Sequence, residues 1–168
     1  MSDAPRPVIR HANFSDVAAI TEIYNEAILT STATFDTEPR TVDDRIAWFR
    51  SHDERHPVLV AVVGSEVLGW ASLTRWSERP AYNDTAETSF YVAAEHRGRG
   101  IGRQLKEAII AEARRLGFHT LIARMAEGSD ASRHVNQSVG FVHVGTLKEV
   151  GQKFGRWLDV DVMQLMLD

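Results

Sequence analysis

The chain has 168 residues, 43% of them hydrophobic and 25% charged, which is typical of one globular domain spanning residues 1–168. It contains no cysteine, which excludes disulfides, thiolate nucleophiles and cysteine-based metal sites. The formal net charge is −4, and the sequence has neither a signal-peptide-like start nor an apolar run of membrane-spanning length, so we expect a cytoplasmic protein without nucleic-acid or membrane partners.

The N-terminal third predicts a strand and two helices. A short strand at 8–10 precedes a helix capped by Ser15, in which apolar residues recur every three or four positions. A second helix begins after Thr41, and Asp44 completes a capping-box pattern with it. The expected buried face of this second helix consists of Val42, Ile46 and Phe49.

Two histidines follow the second helix. His52 and His56 are four residues apart, but Asp53 occupies the place of the glutamate in the zinc-binding pattern H-E-x-x-H. We therefore expect a frayed, polar helix end here, and no metal site.

The remaining elements alternate between strands and helices. Two β-rich runs at 58–63 and 66–73, joined by Gly64-Ser65, predict a hairpin. Further strands are predicted at 87–92, 120–125, 141–149 and 157–167, and further helices at 101–116 and 131–139. The longer of these helices should bury Ile101, Leu105, Ala108, Ile109 and Leu116. This order predicts an α/β (α+β) fold, in which a mixed and mostly antiparallel sheet is flanked by helices.

The most specific motif is the glycine-rich turn His96-Arg97-Gly98-Arg99-Gly100-Ile101-Gly102, between a predicted strand and a predicted helix. The first N–H groups of a helix have no partner within the helix, and they bind anions with the help of the helix dipole. Arg97, Arg99 and Arg103 add positive charge. The spacing fits neither a Walker loop nor the dinucleotide pattern G-x-G-x-x-G. We predict a diphosphate site formed by backbone amides; the alternative is a tight turn with solvated arginines.

Glu87 lies ten residues before Arg97, at the start of the strand that leads into this turn. A carboxylate in this position can remove a proton from an amine substrate, directly or through a water molecule. Taken alone, Glu87 is better explained as a solvated carboxylate at a strand end, so a catalytic role depends on the motifs around it.

These motifs resemble the GNAT superfamily of acetyl-CoA-dependent N-acyltransferases. The superfamily's pyrophosphate loop, R/Q-x-x-G-x-G/A, matches residues 97–102. The segment 76–92 resembles the branch that contains the phosphinothricin, methionine sulfoximine and methionine sulfone N-acetyltransferases, and segments 23–39, 139–141 and 150–159 agree with it. The resemblance extends from about residue 8 to the C-terminus. It implies the GNAT fold, acetyl-CoA as co-substrate without a metal, a small-molecule amine acceptor and a homodimer.

The resemblance also implies roles for individual residues. Glu87 would be the general base, and Tyr91 would lie beside the thioester. The positions that match the cofactor site are Phe90, Tyr91, Val92, Arg97, Gly98, Arg99, Gly100, Ile101, Gly102, Arg103, Ser129 and Asn136. Those that match the acceptor pocket are Phe35, Ser77, Glu78, Arg79, Glu87, Thr88 and Ser89. Arg79 suits a substrate carboxylate, although a surface arginine explains it equally well.

Two positions depart from this branch. Ser129 replaces a usual asparagine that holds the CoA arm, and Asn136 replaces a usual histidine (or tyrosine elsewhere in the superfamily) that is proposed to protonate the leaving thiolate. Because an amide is not an ordinary general acid, the proton donor stays open between Tyr91, water and none at all. Other amines, such as a polyamine, an antibiotic or a protein N-terminus, are alternative acceptors, and a non-catalytic acyl-CoA sensor is an alternative function. Lys153, Arg156 and Trp157 are expected at a turn before the last strand, at a dimer contact.

Overall fold

The computed structural model describes residues 4–168, in which seven strands and four helices follow one another in the predicted order. The strands are β1 (Val8–His11), β2 (Val58–Val63), β3 (Glu66–Arg75), β4 (Thr85–Val92), β5 (Thr120–Ala126), β6 (Val142–Lys153) and β7 (Arg156–Met166). The helices are α1 (Val17–Thr30), α2 (Val42–Arg50), α3 (Ile101–Arg115) and α4 (Asp130–Ser138). None of the helices in this part of the chain is long and apolar enough to span a membrane.

The strands form one sheet in the order β1-β2-β3-β4-β5-β7-β6. All neighbouring strands pair antiparallel except β4 and β5, which pair parallel. The predicted fold class, a mixed and mostly antiparallel sheet flanked by helices, is therefore confirmed. The connection from β4 to β5 runs through α3, as a parallel pair requires.

Two apolar clusters cover the two faces of the sheet. On one face, α3 packs Leu105 and Ile109 against the central strands, and on the other face α1 packs Ile20 and Ile28 against β2 and β3. The predicted helical spacing in α1 and α3 is confirmed, because most of the apolar residues it selects are buried.

Three local predictions are wrong. Ser15 does not cap α1; instead, the Asn13 side chain accepts a hydrogen bond from the Ser15 N–H at 3.0 Å and caps a short 3-10 turn that leads into the helix. Val42 in α2 is 45% exposed, whereas Arg45 is only 6% exposed because its guanidinium stacks on aromatic rings beneath the helix. The chain after α2 is not a frayed end, since His56 is buried and its Nδ1 lies 2.7 Å from Asp53 Oδ1. The capping box of Thr41 is confirmed.

Candidate active site

A fork in the sheet defines the site. β4 and β5 pair over only three positions, from Thr85 opposite Thr120 to Glu87 opposite Ile122, although both strands continue further. Beyond Glu87 the two strands separate, and a groove of about 790 Å³ lies along the end of β4, between its last residues and the segment that follows β5 into α4. Phe90, Tyr91 and Val92 line this groove, whereas Glu87 does not. Their β5-facing backbone groups are therefore placed to pair with a ligand strand or arm.

The glycine-rich turn forms one end of the groove. Gly98 and Gly100 have φ of +77° and +80°, which side chains other than glycine rarely adopt, and the turn delivers the chain into the first turn of α3. The predicted cofactor residues of this segment, with the exception of Arg99, line the groove. Gly102 lets α3 approach β4 closely, because a Cβ atom there would lie 2.9 Å from Cε2 of Phe90. The start of α3 therefore presents its unpaired N–H groups and its positive dipole to the groove.

The arginines of this turn make contacts at the protein surface. Arg97 pairs with Glu26 at 3.3 Å and its Nε donates to Val92 O at 3.1 Å, while Arg103 pairs with Glu107 at 2.9 Å. Arg99 lies away from the groove lining, with its Nη1 3.4 Å from His96 Nδ1. All three side chains are at the surface, so Arg97 and Arg103 are free to turn toward a bound anion at a small energetic cost.

Glu87 lies at the point where the strands part, and it is held by an arginine that the sequence analysis did not select. Arg124 of β5 forms a two-pronged ion pair with it, with Nε 2.8 Å from Oε2 and Nη2 3.0 Å from Oε1. The Glu87 side chain is 17% exposed and the Arg124 side chain is 52% exposed, so the pair opens toward solvent. This geometry fixes the direction of the carboxylate and places a planar cation beside it.

The residues predicted for the acceptor pocket are only partly brought together. Thr88 and Ser89 line a small cavity next to the groove, and the Phe35 ring packs directly against Gly151 of β6. Ser77, Glu78 and Arg79 lie in the loop before β4, and, like Phe35 and Glu87, they line neither the groove nor the small cavity. In this chain the planar cation nearest to Glu87 is Arg124, whereas Arg79 is exposed.

The small cavity has a volume of about 50 Å³ and contains an unexpected cation. Lys106 of α3 is 1% exposed, and its Nζ donates a hydrogen bond to Thr88 Oγ1. Burial lowers the pKa of Lys106 to about 7, and the nearby charge of Glu87 opposes this shift. The sequence did contain a signal for this residue, because Gly102, Lys106 and Ile110 follow one another at intervals of four on the buried side of a helix.

Ser129 and Asn136, the two positions that depart from the branch, both face this region. Ser129 lines both the groove and the cavity. Asn136 is 2% exposed, and its Nδ2 donates to Ser132 O at 3.0 Å while its Oδ1 has no hydrogen-bond partner among the described residues.

Tyr91 lines the groove and also contacts the rings of Tyr24 and Trp70 on the α1 face of the sheet. Its hydroxyl donates to Ala33 O at 3.2 Å, and its ring stacks on Trp70. Burial raises the pKa of Tyr91 well above its ordinary value, so the hydroxyl stays protonated.

The loop that supplies Ala33 is fixed in turn by Lys153, whose buried Nζ donates to Ser31 O and Thr34 O at 2.8 Å. Lys153 is thus a buried anchor at the end of β6 rather than part of an exposed turn.

Known proteins are similar to this chain in architecture and in sequence. The model of the acetyltransferase (GNAT) family matches residues 20–141. An L-amino acid N-acyltransferase (MnaT) of Escherichia coli K12 is 43% identical over 161 residues, which cover 95% of this chain and 94% of that protein. An L-methionine sulfoximine/L-methionine sulfone acetyltransferase of Salmonella typhimurium is 41% identical, with 95% and 94% covered. The crystal structure of a phosphinothricin acetyltransferase from Sinorhizobium meliloti in complex with acetyl-CoA superposes with a TM-score of 0.93 at 32% identity, covering 97% of this chain and 89% of that one.

Proposed function

Because the chain belongs to the acetyltransferase (GNAT) family, we propose that it transfers the acetyl group of acetyl-CoA to the amino group of a small amino-acid analogue of the methionine sulfoximine or phosphinothricin type. One observation carries the proposal: β4 and β5 part after Glu87, and the groove along the freed end of β4 reaches the glycine-rich start of α3. The relatives' names support both the reaction and the acceptor class.

The groove suits acetyl-CoA in charge and in shape. The N-terminus of α3 and the side chains of Arg97 and Arg103 supply positive potential for the diphosphate. The β4 edge at 90–92 offers backbone groups to the amide-containing pantetheine arm, and backbone N–H groups near Tyr91 polarise the thioester carbonyl. This arrangement brings the acetyl group to the fork, next to Glu87.

Glu87 acts as the general base in this proposal. The acceptor arrives as an ammonium ion and loses one proton to the carboxylate, directly or through a water molecule, before its nitrogen attacks the thioester carbon. The ion pair with Arg124 holds the carboxylate in place, and it also competes for the carboxylate oxygens. The incoming ammonium ion must therefore displace Arg124 from part of the Glu87 carboxylate.

The test is Glu87→Gln, which keeps the shape of the side chain but removes its basicity. We expect turnover to fall by about 100-fold or more, a typical loss when a general base is removed, while acetyl-CoA still binds. Glu54→Gln serves as the matched control, since Glu54 is exposed and lies between α2 and β2, outside the strands that form the fork. Full activity of Glu87→Gln would remove the base assignment.

The acceptor is recognised by its carboxylate. We propose Arg79 for this role from the family resemblance, and Arg124 as the alternative that its position at the fork supports. Arg79→Ala and Arg124→Ala, each assayed with methionine sulfoximine, phosphinothricin, common amino acids and polyamines, distinguish the two. An unchanged acceptor KM in Arg79→Ala would refute the first assignment, and activity on polyamines alone would refute the acceptor class. Acetyl-CoA binding without turnover on any amine would favour the sensor function.

We further propose that the chain acts as a homodimer through the β6–β7 hairpin. This hairpin carries seven large apolar side chains that are about half exposed or more: Val142, Val144, Leu147, Val150, Phe154, Trp157 and Met166. A concentration of exposed apolar side chains on one hairpin favours a protein interface there. Light scattering of the purified protein tests the proposal, and a monomeric mass at micromolar concentration would refute it.

A further inference from the structure

The buried amino group of Lys106 faces the reaction site. It lines the cavity of about 50 Å³ beside the fork, and five residues of that cavity also line the groove: Ala33, Phe90, Tyr91, Ser129 and Ser132. The cavity is therefore a side chamber of the groove, at the level of the strand segment beside which we place the thioester.

This amino group has unusual surroundings for a lysine. Its Nζ lies 4.5 Å from the ring centroid of Phe141 and 5.7 Å from that of Phe90, and within residues 4–168 it pairs with no carboxylate. An ammonium ion has three donors, and only the bond to Thr88 uses one of them. Such a buried, incompletely bonded cation is costly, which makes a purely structural role a poor explanation.

Asn136 gives a second, independent indication of a ligand. Its Oδ1 is buried and has no partner among the described residues, and its side chain lines the same cavity as Lys106. Buried polar atoms are almost always bonded to protein, water or ligand, so two incomplete groups around one chamber indicate a polar occupant. The chamber has room for a water molecule or for a sulfur atom that enters from the groove.

We propose that Lys106 is the group that stabilises and protonates the thiolate of CoA when the acetyl group leaves it. The inference rests on the proposed function. The acceptor nitrogen forms its bond to the acetyl carbon, the carbon–sulfur bond breaks, and the electron pair stays on sulfur. The Lys106 ammonium then gives one proton to sulfur, which yields the CoA thiol and a neutral amine. The amine recovers a proton from water, while the protons lost by the acceptor nitrogen leave through Glu87, so one proton is released per turnover.

The other groups at the chamber are less suited to this task. The hydroxyl of Tyr91 is occupied by Ala33 O, and its raised pKa makes it a weaker acid than a thiol. The charged groups near Lys106 are Glu87 on β4, whose charge acts on it from the other side of the strand, and Arg124 on β5, which lines the chamber, whereas α4 contributes only uncharged Ser132 and Asn136. Lys106 is thus the best-suited proton donor at the chamber. Its pKa of about 7 leaves both the ammonium and the neutral amine populated near neutral pH, as a general acid requires.

The test measures the thiol of bound CoA rather than activity. Ultraviolet absorbance of the thiolate is recorded against pH for CoA in complex with wild type, Lys106→Met and Lys106→Gln. A nearby cation lowers the pKa of an acidic group, and the thiolate in turn favours the protonated lysine, so we expect the thiol of bound CoA to ionise at a lower pH in the wild-type complex than in either variant. Lys148→Met is the control, because Lys148 is exposed and paired with Asp159 on the hairpin. Acetyl-CoA affinity should stay unchanged, while kcat should fall by about 100-fold in both Lys106 variants.

The possible outcomes separate the two proposals. Equal thiol pKa values in wild type and Lys106→Met, with normal acetylation of amines by wild type, would overturn the role of Lys106 and leave the proposed function intact. Failure of wild type to bind CoA would overturn both. Acetylation of Lys106 itself by acetyl-CoA, detected by mass spectrometry, would show an attacking amine rather than a proton donor and would also overturn the inference.

Discussion

Replacing Lys106 by methionine should make the stability of the protein respond differently to pH. In the unfolded chain the lysine has its ordinary pKa of 10.5, and in the folded protein burial lowers it to about 7. Between these values the unfolded state binds a proton that the folded state lacks, so the free energy of unfolding of wild type rises with pH by about 1.4 kcal/mol per unit. Below pH 7 both states are protonated, and the full penalty of the buried charge, on the order of 5 kcal/mol, is present.

Lys106→Met removes this titration and keeps an unbranched apolar stem of similar length. The variant should be more stable than wild type at pH 6, and its advantage should shrink by about 2–3 kcal/mol between pH 7 and pH 9. Urea unfolding at several pH values measures this difference. Lys148→Met is the control, because the ion pair with Asp159 raises the pKa of Lys148 and keeps it protonated over this range. A difference between Lys106→Met and wild type that does not change from pH 7 to pH 9 would refute the buried titrating lysine.

Three other substitutions test the groove and its supports. Gly102→Ala places a Cβ 2.9 Å from the Phe90 ring, so the Kd for acetyl-CoA should rise several-fold by calorimetry; an unchanged Kd would contradict the close fit of α3 on β4. Gly151→Ala should displace the Phe35 ring and so raise the KM for the acceptor but not the KM for acetyl-CoA in steady-state assays. Equal effects on the two KM values would count against Phe35 in the acceptor pocket. Thr41→Ala removes the capping box of α2 and should cost about 1 kcal/mol in urea unfolding with kcat unchanged, whereas a lower kcat would show that α2 positions the site.

The shape of the glycine-rich turn was predictable because it depends on local backbone chemistry. Positive φ at Gly98 and Gly100, and the close approach at Gly102, all require glycine within five residues of sequence. The helix and strand periods on either side fix where this turn lies in the fold. A short motif therefore determines the mouth of the groove without information from distant parts of the chain.

The acceptor side was less predictable because its contacts join residues that are distant in sequence. Glu87 and Arg124 are 37 positions apart, and they meet only because β4 and β5 are parallel neighbours at the fork. Nothing in the segment around Arg124 indicates this pairing. Arg79 was selected by resemblance, and yet the loop that carries it leaves it exposed and outside the groove lining.

Val42 and Arg45 show a different limit of sequence patterns. The apolar spacing of α2 favours Val42 as a buried residue, but the guanidinium of Arg45 lies 3.7 Å above the Trp48 ring and 4.3 Å from that of Tyr24. Stacking on aromatic faces makes burial of an arginine acceptable, and a binary pattern of apolar and charged residues does not include this interaction.

Glu87 and Lys106 are coupled across β4, and this coupling yields a final prediction. Successive side chains of a strand point to opposite faces, so Glu87 lies on one face while Thr88, the partner of Lys106, lies on the other. The charge of Glu87 raises the pKa of Lys106 against the effect of burial. Glu87→Gln removes the charge that raises the pKa of Lys106 and leaves the burial that lowers it. Lys106 should therefore lose its proton at a lower pH. In urea unfolding, the rise of stability with pH should then begin below pH 7 in Glu87→Gln but not in the Glu54→Gln control. An onset at the same pH in both variants would show that the charge of Glu87 does not affect Lys106. Glu87, the proposed base, would then act on the acceptor amine without influencing the protonation of the CoA sulfur.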